Sequence, residues 1–532
     1  MNTRRHDVLR KCVVHSIFAL SILSGFVAAG CTRTPGLTAE DRKRDIEFLA
    51  QWAKDYSPFM ELNEKYRGLP DYQALKPKYV QLAEQAHRNE EFLHVVFGYF
   101  SLIGASGHGH LLPEESLHAY MREARLQGGV SSDIPATQFR AAVYWARLYE
   151  KTSFSHPPFR VIHRDGVYWT GDDWHGKGAL IPRGSQIIRV NGMSCSSYQD
   201  YLRQETWLRY VARPVDWIAD HLLVINEGNS FTGWKVDFLC PDGVTRQVSV
   251  PCTSGFPDEG KREFSNWRKK GNCVCLELAD DVGYIRVKAM GGPFIKEDGG
   301  KIRRFLDHSA GKYRKLIIDV RNNGGGLPYY AYDNLMRPFL DQPLEYRQTM
   351  GIKRKFLADT ERSYQEKLRG SMSTWAWDTR VEETKPPEGF DGKEWIFYEI
   401  TRKVEPAPRY DFRGDIYVLI DGGSGSATDQ YANDIKRTGY ATLVGQSTNG
   451  SIGGYFVPIT VRLPASGMIF LLQTDLFFNP DGSINELVGT KPDVELPACD
   501  LPQSVTREDL LKDEWIKKIM AGLPGGTRVD PR

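Results

Sequence analysis

The sequence predicts a layered α/β core, on two observations. Lys315–Val320 and Ile416–Asp421 are short apolar runs, rich in Ile and Val, of the kind that form strands buried on both faces. Gly299–Ser309 before the first run and the residues after Ser426 carry apolar positions at helical spacing. Strand–helix–strand order of this type implies helices packed on a sheet. At 532 residues the chain exceeds a single core, so roughly three domains are expected.

The N-terminus reads separately. Arg4, Arg5, Arg10 and Lys11 precede an apolar run from Cys12 to Gly30, ending Val27-Ala28-Ala29-Gly30-Cys31. A basic segment, an apolar segment and small residues before a cleavage point describe a secretory signal. The run is also nearly long enough to be a single membrane anchor. Small residues directly before a cysteine resemble a bacterial lipobox, with Ala28 in place of the usual leucine or valine. That resemblance implies removal of residues 1–30, lipid on Cys31, and an extracytoplasmic body anchored to the cell envelope. Thr32 rather than aspartate follows the cysteine, so an inner-membrane retention signal is absent and the outer membrane is favoured in a two-membrane bacterium.

Charge excludes one class of partner. Lys and Arg number 69 against 67 acidic residues, a formal +2 with the signs intermixed, so no basic stripe for nucleic acid is present. Hydrophobic and aromatic content are those of a globular protein. Beyond Cys12 and Cys31, six cysteines remain: Cys195, Cys240, Cys252, Cys273, Cys275 and Cys499. An extracytoplasmic compartment permits disulfides, but the spacing asserts none. Cys240 and Cys252 flank a hairpin turning at Asp242-Gly243, whose register would hold them roughly 20 Å apart at about 3.3 Å per residue. Small buried residues are the expectation for most of these positions.

Along the chain, residues 31–155 read as a helical domain, with helical spacing in Asp45–Arg88 and Glu91–Leu102. A glycine-rich break follows, Gly104-Ala105-Ser106-Gly107-His108-Gly109-His110. Residues 156–262 turn to short strands, including Gln186–Val190 before an Asn191-Gly192 turn, a helix Tyr198–Glu205, and a hairpin in WKVDFLCPDGVTRQVSV. Gly184–Gly192 resembles the core strand of PDZ domains, although the carboxylate-binding loop of those domains is not recognisable. Residues 272–500 form the α/β core. Within it 353–413, rich in charge, Trp, Tyr and Pro, reads as an insertion, either a lid or a decorated surface loop. Residues 501–532 are a C-terminal tail.

The stretch IYVLIDGGSGSATDQYANDIKR carries the chemistry. An apolar strand breaks at a glycine turn, presents Ser426 and enters a helix, where free N–H groups and the helix dipole favour developing negative charge. Ser426-Ala427-Thr428-Asp429 also has the form of a capping box, so an ordinary helix cap is the competing reading.

Three blocks, LIIDVRNNGGG, VLIDGGSGSATDQYANDIKRTGYATLVGQSTNG and NELVGTKPDVEL, resemble the signature blocks of the C-terminal-processing and tricorn-type (tail-specific) serine peptidases, in that family's order. The resemblance implies a crotonase-like α/β peptidase core and places a nucleophile at Ser426. One branch of the family uses a lysine after a T-x-G turn; here Ser451 follows Thr448-Asn449-Gly450 and the lysine is missing. The tricorn-like branch uses histidine and glutamate. Its histidine turn is similar to Ser106–Pro113, which offers His108 or His110 as the base, the turn's usual aspartate being absent. Its glutamate matches Glu486. The implied oxyanion donors are the Ala427 N–H and one N–H of the Gly324–Gly325 turn, where glycine admits unusual dihedrals and close approach of a substrate carbonyl.

The resemblance implies peptide or unfolded-polypeptide substrates, an acyl-serine intermediate, and no metal or organic cofactor. Rival readings are few. His108 and His110, with His118 nearby, are a weak metal pattern lacking an acidic or cysteine partner at suitable spacing. Asp319 at a strand end would simply cap the next turn. The missing lysine and turn aspartate leave room for an inactive relative acting as a ligand-binding or scaffold lipoprotein. Oligomeric state is not readable.

Overall fold

The computed structural model describes residues 36–523 apart from 68–70, 103–107, 113, 115–116, 118–135, 153–154, 165–166, 177, 200–221, 224–231, 255–270, 310, 360–379, 454–458, 498, 500 and 503. From Leu37 onward the described residues belong to one compact unit. The signal segment, Cys31 and His118 lie outside the described residues.

Four helices open the fold: α1 (Ala39–Tyr56), α2 (Phe59–Arg67), α3 (Tyr72–Gln85) and α4 (Asn89–Ser101). Thr38 caps α1 by accepting the Asp41 N–H at 3.1 Å, while Asp41 accepts the Thr38 N–H in return. Their apolar faces, with Ile46, Leu49, Phe92 and Val96, share one core with Val461, Leu463, Phe470 and Leu472 from the far end of the chain. Asp45, fully buried, fastens this contact by accepting the N–H groups of Ala465 and Ser466 at 2.8 and 2.9 Å. The N-terminal helices therefore close their core on a late hairpin. A short strand after α4, β1 (His110–Leu111), adds to that hairpin, and helix α5 (Ala136–Thr152) contributes Trp145 to the same core.

The β-rich segment forms an antiparallel sheet in the order Thr245–Pro251, Gly233–Leu239, Gln186–Val190, Val167–Thr170, Val161–Arg164. Asn191 and Gly192 both take positive φ (50° and 82°) between paired Val190 and Met193, the two-residue turn expected of Asn-Gly. The expected hairpin pairs Thr245 with Leu239 through Pro251 with Gly233. Beyond residue 199 the expected helix lies outside the described residues. All six cysteines of the body are free.

The α/β core is a six-stranded sheet: β2 (Cys273–Ala279), β3 (Val282–Val287), β4 (Lys315–Asp319), β7 (Asp415–Ile420), β8 (Thr442–Gly445) and β12 (Val494–Glu495), in that order. Only the β2–β3 pair is antiparallel. Alternate residues feed two cores. Leu316, Ile318, Val418 and Ile420 face α6 (Ile295–His308) and α7 (Ala427–Thr438), whereas Ile317, Tyr417 and Leu419 face α9 (Glu514–Ala521). Burial on both faces explains why these strands read as unbroken apolar runs.

Within residues 353–413, Arg380–Thr384 and Trp395–Val404 are strands, and 360–379 lie outside the described residues. β5 (Leu344–Lys353) and β6 (Trp395–Val404) pair antiparallel over ten residues, from Leu344 opposite Val404 to Lys353 opposite Trp395. Arg380–Thr384 joins β6, and β11 (Asp475–Phe477) joins the other side of β5. Aromatic and β-branched residues fit a pleated, half-buried surface, and Trp395, Phe397 and Ile400 of β6 are buried. The hairpin noted above consists of β9 (Ile459–Arg462) and β10 (Ile469–Leu472), with α8 (Asn485–Val488) following β11.

Candidate active site

Ser426 sits on a sharp turn between β7 and α7. Its backbone has φ 52° and ψ −121°, which is the first central position of a turn that normally demands glycine, and the Thr428 N–H closes that turn on the Gly425 carbonyl at 2.9 Å. A conformation of this kind costs about 1–3 kcal/mol and persists only where its surroundings over-determine it. Here the Gly425 N–H donates to Asn323 O at 3.0 Å, the Ser426 N–H donates to Ser451 Oγ at 2.7 Å, and the Asn449 N–H donates to Ser424 O at 3.1 Å. The capping-box reading of Ser426–Asp429 does not describe this helix start: the Ser426 side chain makes no cap hydrogen bond.

Asp429 turns inward instead. Its buried carboxylate accepts from Thr448 Oγ1 (2.5 Å), the Ser451 N–H (2.8 Å), Thr490 Oγ1 (2.8 Å) and Asn485 Nδ2 (3.3 Å). One acid thereby ties α7 to the Thr448–Ser451 turn and to the segment after α8. Ser451, at the position where the lysine of the other branch is missing, holds the backbone of Ser426.

The Ser426 Oγ points at His108, whose Nε2 lies 3.1 Å away. Of the two expected histidines, His108 is the one brought against Ser426. His110 belongs to β1 and pairs with Leu471 of β10. Burial pushes the His108 imidazole below its ordinary value of 6.5, and the adjoining Gln473 side chain and Gly453 backbone act in the opposite direction. A neutral imidazole beside a hydroxyl is the state that accepts a proton.

Glu486 is fully buried on α8 behind this pair. It accepts from the Gly453 N–H (3.1 Å), Gln473 Nε2 (3.1 Å) and the Phe477 N–H (3.1 Å to Oε2). Burial is the main cause that pushes its pKa up to about 8, against these hydrogen bonds. Gln473 stands between Glu486 and His108, a residue that the sequence reading did not single out. Its only signal was the polar Gln473-Thr474-Asp475 interrupting the apolar run from Met468 to Phe478.

The Gly324–Gly325 turn lies against the nucleophile. A Cβ on Gly325 (φ 99°) would fall 2.5 Å from Gly425 O and 2.7 Å from both the Ala427 N and Ser426 Cβ. The Gly325 N–H is already taken by Asn323 Oδ1 at 3.0 Å, so this residue provides close approach rather than a donor. Gly324 faces open space, and its N–H and that of Ala427 remain the candidate donors there. Asp319 caps the Arg321 N–H at 3.0 Å, as expected, and does more. It also holds the guanidiniums of Arg286 and Arg321 and the Tyr284 hydroxyl, in a buried network that reaches Asp513 before α9. Burial alone would raise the Asp319 pKa, but the two guanidiniums overcome it and hold the carboxyl well below the usual range.

A turn that presents a serine to a histidine, on a mostly parallel sheet, is an arrangement that acyl-transfer hydrolases use. Residues 281–496, less than half of the chain, match the model of peptidase family S41, so the α/β core is similar to the peptidase domains of that family. Among curated proteins the chain is similar to a Chlamydia pneumoniae protein known by locus names, 24% identical in an alignment 226 residues long that covers 36% of this chain and 34% of that protein. The match thus spans about a third of the length of that relative. Among solved structures, mature CPAF complexed with lactacystin aligns over 90% of this chain and 97% of that one, at 16% identity and a TM-score of 0.55. Mature CPAF alone aligns over 90% and 96%, with the same identity and TM-score. At such identity the likeness is one of fold.

Proposed function

We propose that this protein is an extracytoplasmic, lipid-anchored serine endopeptidase that cleaves peptides or unfolded polypeptide through an acyl-serine intermediate. The observation that carries the reading is the 3.1 Å approach of His108 Nε2 to Ser426 Oγ. In the proposed reaction Ser426 Oγ attacks the scissile carbonyl while His108 Nε2 takes its proton. The N–H groups of Ala427 and Gly324 meet the developing oxyanion. His108 then passes the proton to the leaving amine, the C–N bond breaks, and water activated by the same imidazole releases the acyl group. Glu486 lies behind the pair and favours the imidazolium, at a distance, only in its ionised form.

The crotonase-like description of the core and the PDZ-like description of residues 156–262 belong to the same proposal, supported by the parallel sheet and by the antiparallel sheet with its Asn191-Gly192 turn. Lipid anchoring at Cys31 rests on the sequence of the first 31 residues. The test is hydrolysis of unfolded casein and of a peptide library by the chain from Thr32 onward, beside Ser426→Ala. Turnover by the parent alone supports the reading, and equal products from both would remove it. For the anchor, Cys31→Ser in the full chain should move the protein from the membrane fraction to the soluble fraction.

A further inference from the structure

We infer that Gln473 is a positioning residue, whose side-chain amide links Glu486 to His108 and sets the tautomer of the imidazole. The inference rests on the serine-peptidase reading above and adds to it a residue outside the expected set.

Strand pairing brings the two residues together. β1 runs antiparallel to β10, with His110 opposite Leu471 and Leu111 opposite Phe470. Continuing that register by two residues on each side sets position 108 opposite position 473. The orientation of the amide is fixed at its nitrogen. Gln473 Nε2 donates to the Asp475 carbonyl at 2.8 Å and to Glu486 Oε1 at 3.1 Å, two acceptors that only the NH2 end can satisfy. Gln473 Oε1 therefore points away from Glu486.

Two buried atoms remain. Among the described residues, Gln473 Oε1 and His108 Nδ1 are both buried and both lack a hydrogen-bond partner. One is an acceptor; the other carries a proton whenever Nε2 is free to accept from Ser426. Buried polar atoms seldom stay unpaired, and catalytic hydrogen bonds are often loose without substrate and tighten in its presence. A short closing movement, or one bridging water, joins Nδ1–H to Oε1 and satisfies both. The chain of contacts is then Glu486 carboxylate, Gln473 amide, His108 imidazole, Ser426 hydroxyl. A neutral amide cannot neutralise an imidazolium, so its effect is orientation and tautomer. Gly453 makes room: a Cβ there would fall 1.6 Å from Gln473 Nε2 and 2.4 Å from Glu486 Oε1.

The test compares the full chain with Gln473→Met, similar in volume but unable to accept well, and with Gln473→Glu. Two readouts are taken across pH: the rate of fluorophosphonate labelling at Ser426, and the ring-nitrogen NMR signals of His108, assigned with His108→Gln. Gln473→Met should label ~10- to 100-fold more slowly, a part of the roughly 10²–10⁴ that a positioned base contributes, and its imidazole should lose the fixed Nδ1–H signal. Gln473→Glu keeps an oxygen acceptor for Nδ1–H, and its carboxylate accepts more strongly than the amide, so its imidazole should retain the fixed Nδ1–H signal and its labelling should exceed that of Gln473→Met at neutral pH. A merely structural role would not separate the two variants by whether residue 473 can accept from Nδ1–H. Unchanged labelling, pH profile and ring signals in Gln473→Met overturn the inference while leaving the serine reading intact. Absence of labelling in the parent overturns the serine reading, and the His108 ring signals then still decide whether Gln473 sets the tautomer.

Discussion

His108 Nε2 and Ser426 Oγ lie 3.1 Å apart although 318 positions of sequence separate them. The approach depends on the N-terminal helices sharing their core with the β9–β10 hairpin, and on β1 pairing along β10. Histidine and serine thus arrive from opposite ends of the fold, each on a turn pinned by its own strand. Preorganisation of this kind is what makes a weak nucleophile useful.

The state of His108 has a consequence for pH. Burial lowers its pKa below the ordinary 6.5, so the neutral, proton-accepting form persists into mildly acidic solution. The acidic limb of kcat/KM for peptide hydrolysis should therefore fall below pH 6.5, with full activity at neutrality. A limb centred above 6.5 would contradict this assignment.

Glu486 should make stability depend on pH in the opposite sense to an ion-paired carboxylate. Its pKa is raised from 4.5 to about 8 in the folded protein, so the folded state binds the proton more tightly than the unfolded chain. The contribution is fully present below about 4.5 and is lost as pH rises through about 8. Replacement Glu486→Gln removes that dependence. Between pH 5 and 8 the Tm of the variant should gain steadily on that of the parent; parallel curves would refute the claim.

Gly453 tests the crowding behind the histidine. Gly453→Ala places a methyl group where Gln473 Nε2 and Glu486 Oε1 now sit. Overpacking should cost about 1–3 kcal/mol of stability and displace the amide. Denaturant unfolding and peptide hydrolysis together check it, with activity expected to fall further than stability alone explains.

Much of this site was legible in the sequence because its parts announce themselves locally. Ser426 follows an apolar strand and a glycine turn, and His108 is flanked by glycines. The Asn191-Gly192 turn likewise needs only its two residues. What stayed hidden was set by tertiary contact. Ser426–Asp429 spells a capping box, yet the strained turn at Ser426 and the inward pull of Thr448, Thr490 and Asn485 on Asp429 override it. Gln473 is one of three polar residues that break an apolar run, and its meaning comes from pairing with a segment more than 350 residues away. The charge and proline of 353–413 suggested a lid or a surface loop, and within it Trp395–Val404 forms a ten-residue strand on β5.

Asp429 should prove to be a structural anchor of the nucleophile turn. Asp429→Ala leaves four donors in a closed pocket without their acceptor. A loss of about 3 kcal/mol or more is expected, since hydrogen bonds to a charged group contribute roughly 1.5–3 kcal/mol and buried donors are costly to strand. Urea unfolding measures it, and a change under 1 kcal/mol would contradict the role.

The most direct measurement of the central claim is labelling of the purified protein with a fluorophosphonate probe, with the adduct mapped by mass spectrometry in the parent, Ser426→Ala and His108→Ala. The account predicts an adduct on Ser426 in the parent, none there in Ser426→Ala, and labelling slowed about 10²–10⁴-fold in His108→Ala, the contribution expected of a positioned base. Equal labelling of the parent and His108→Ala, or no adduct on Ser426 in the parent, would contradict it.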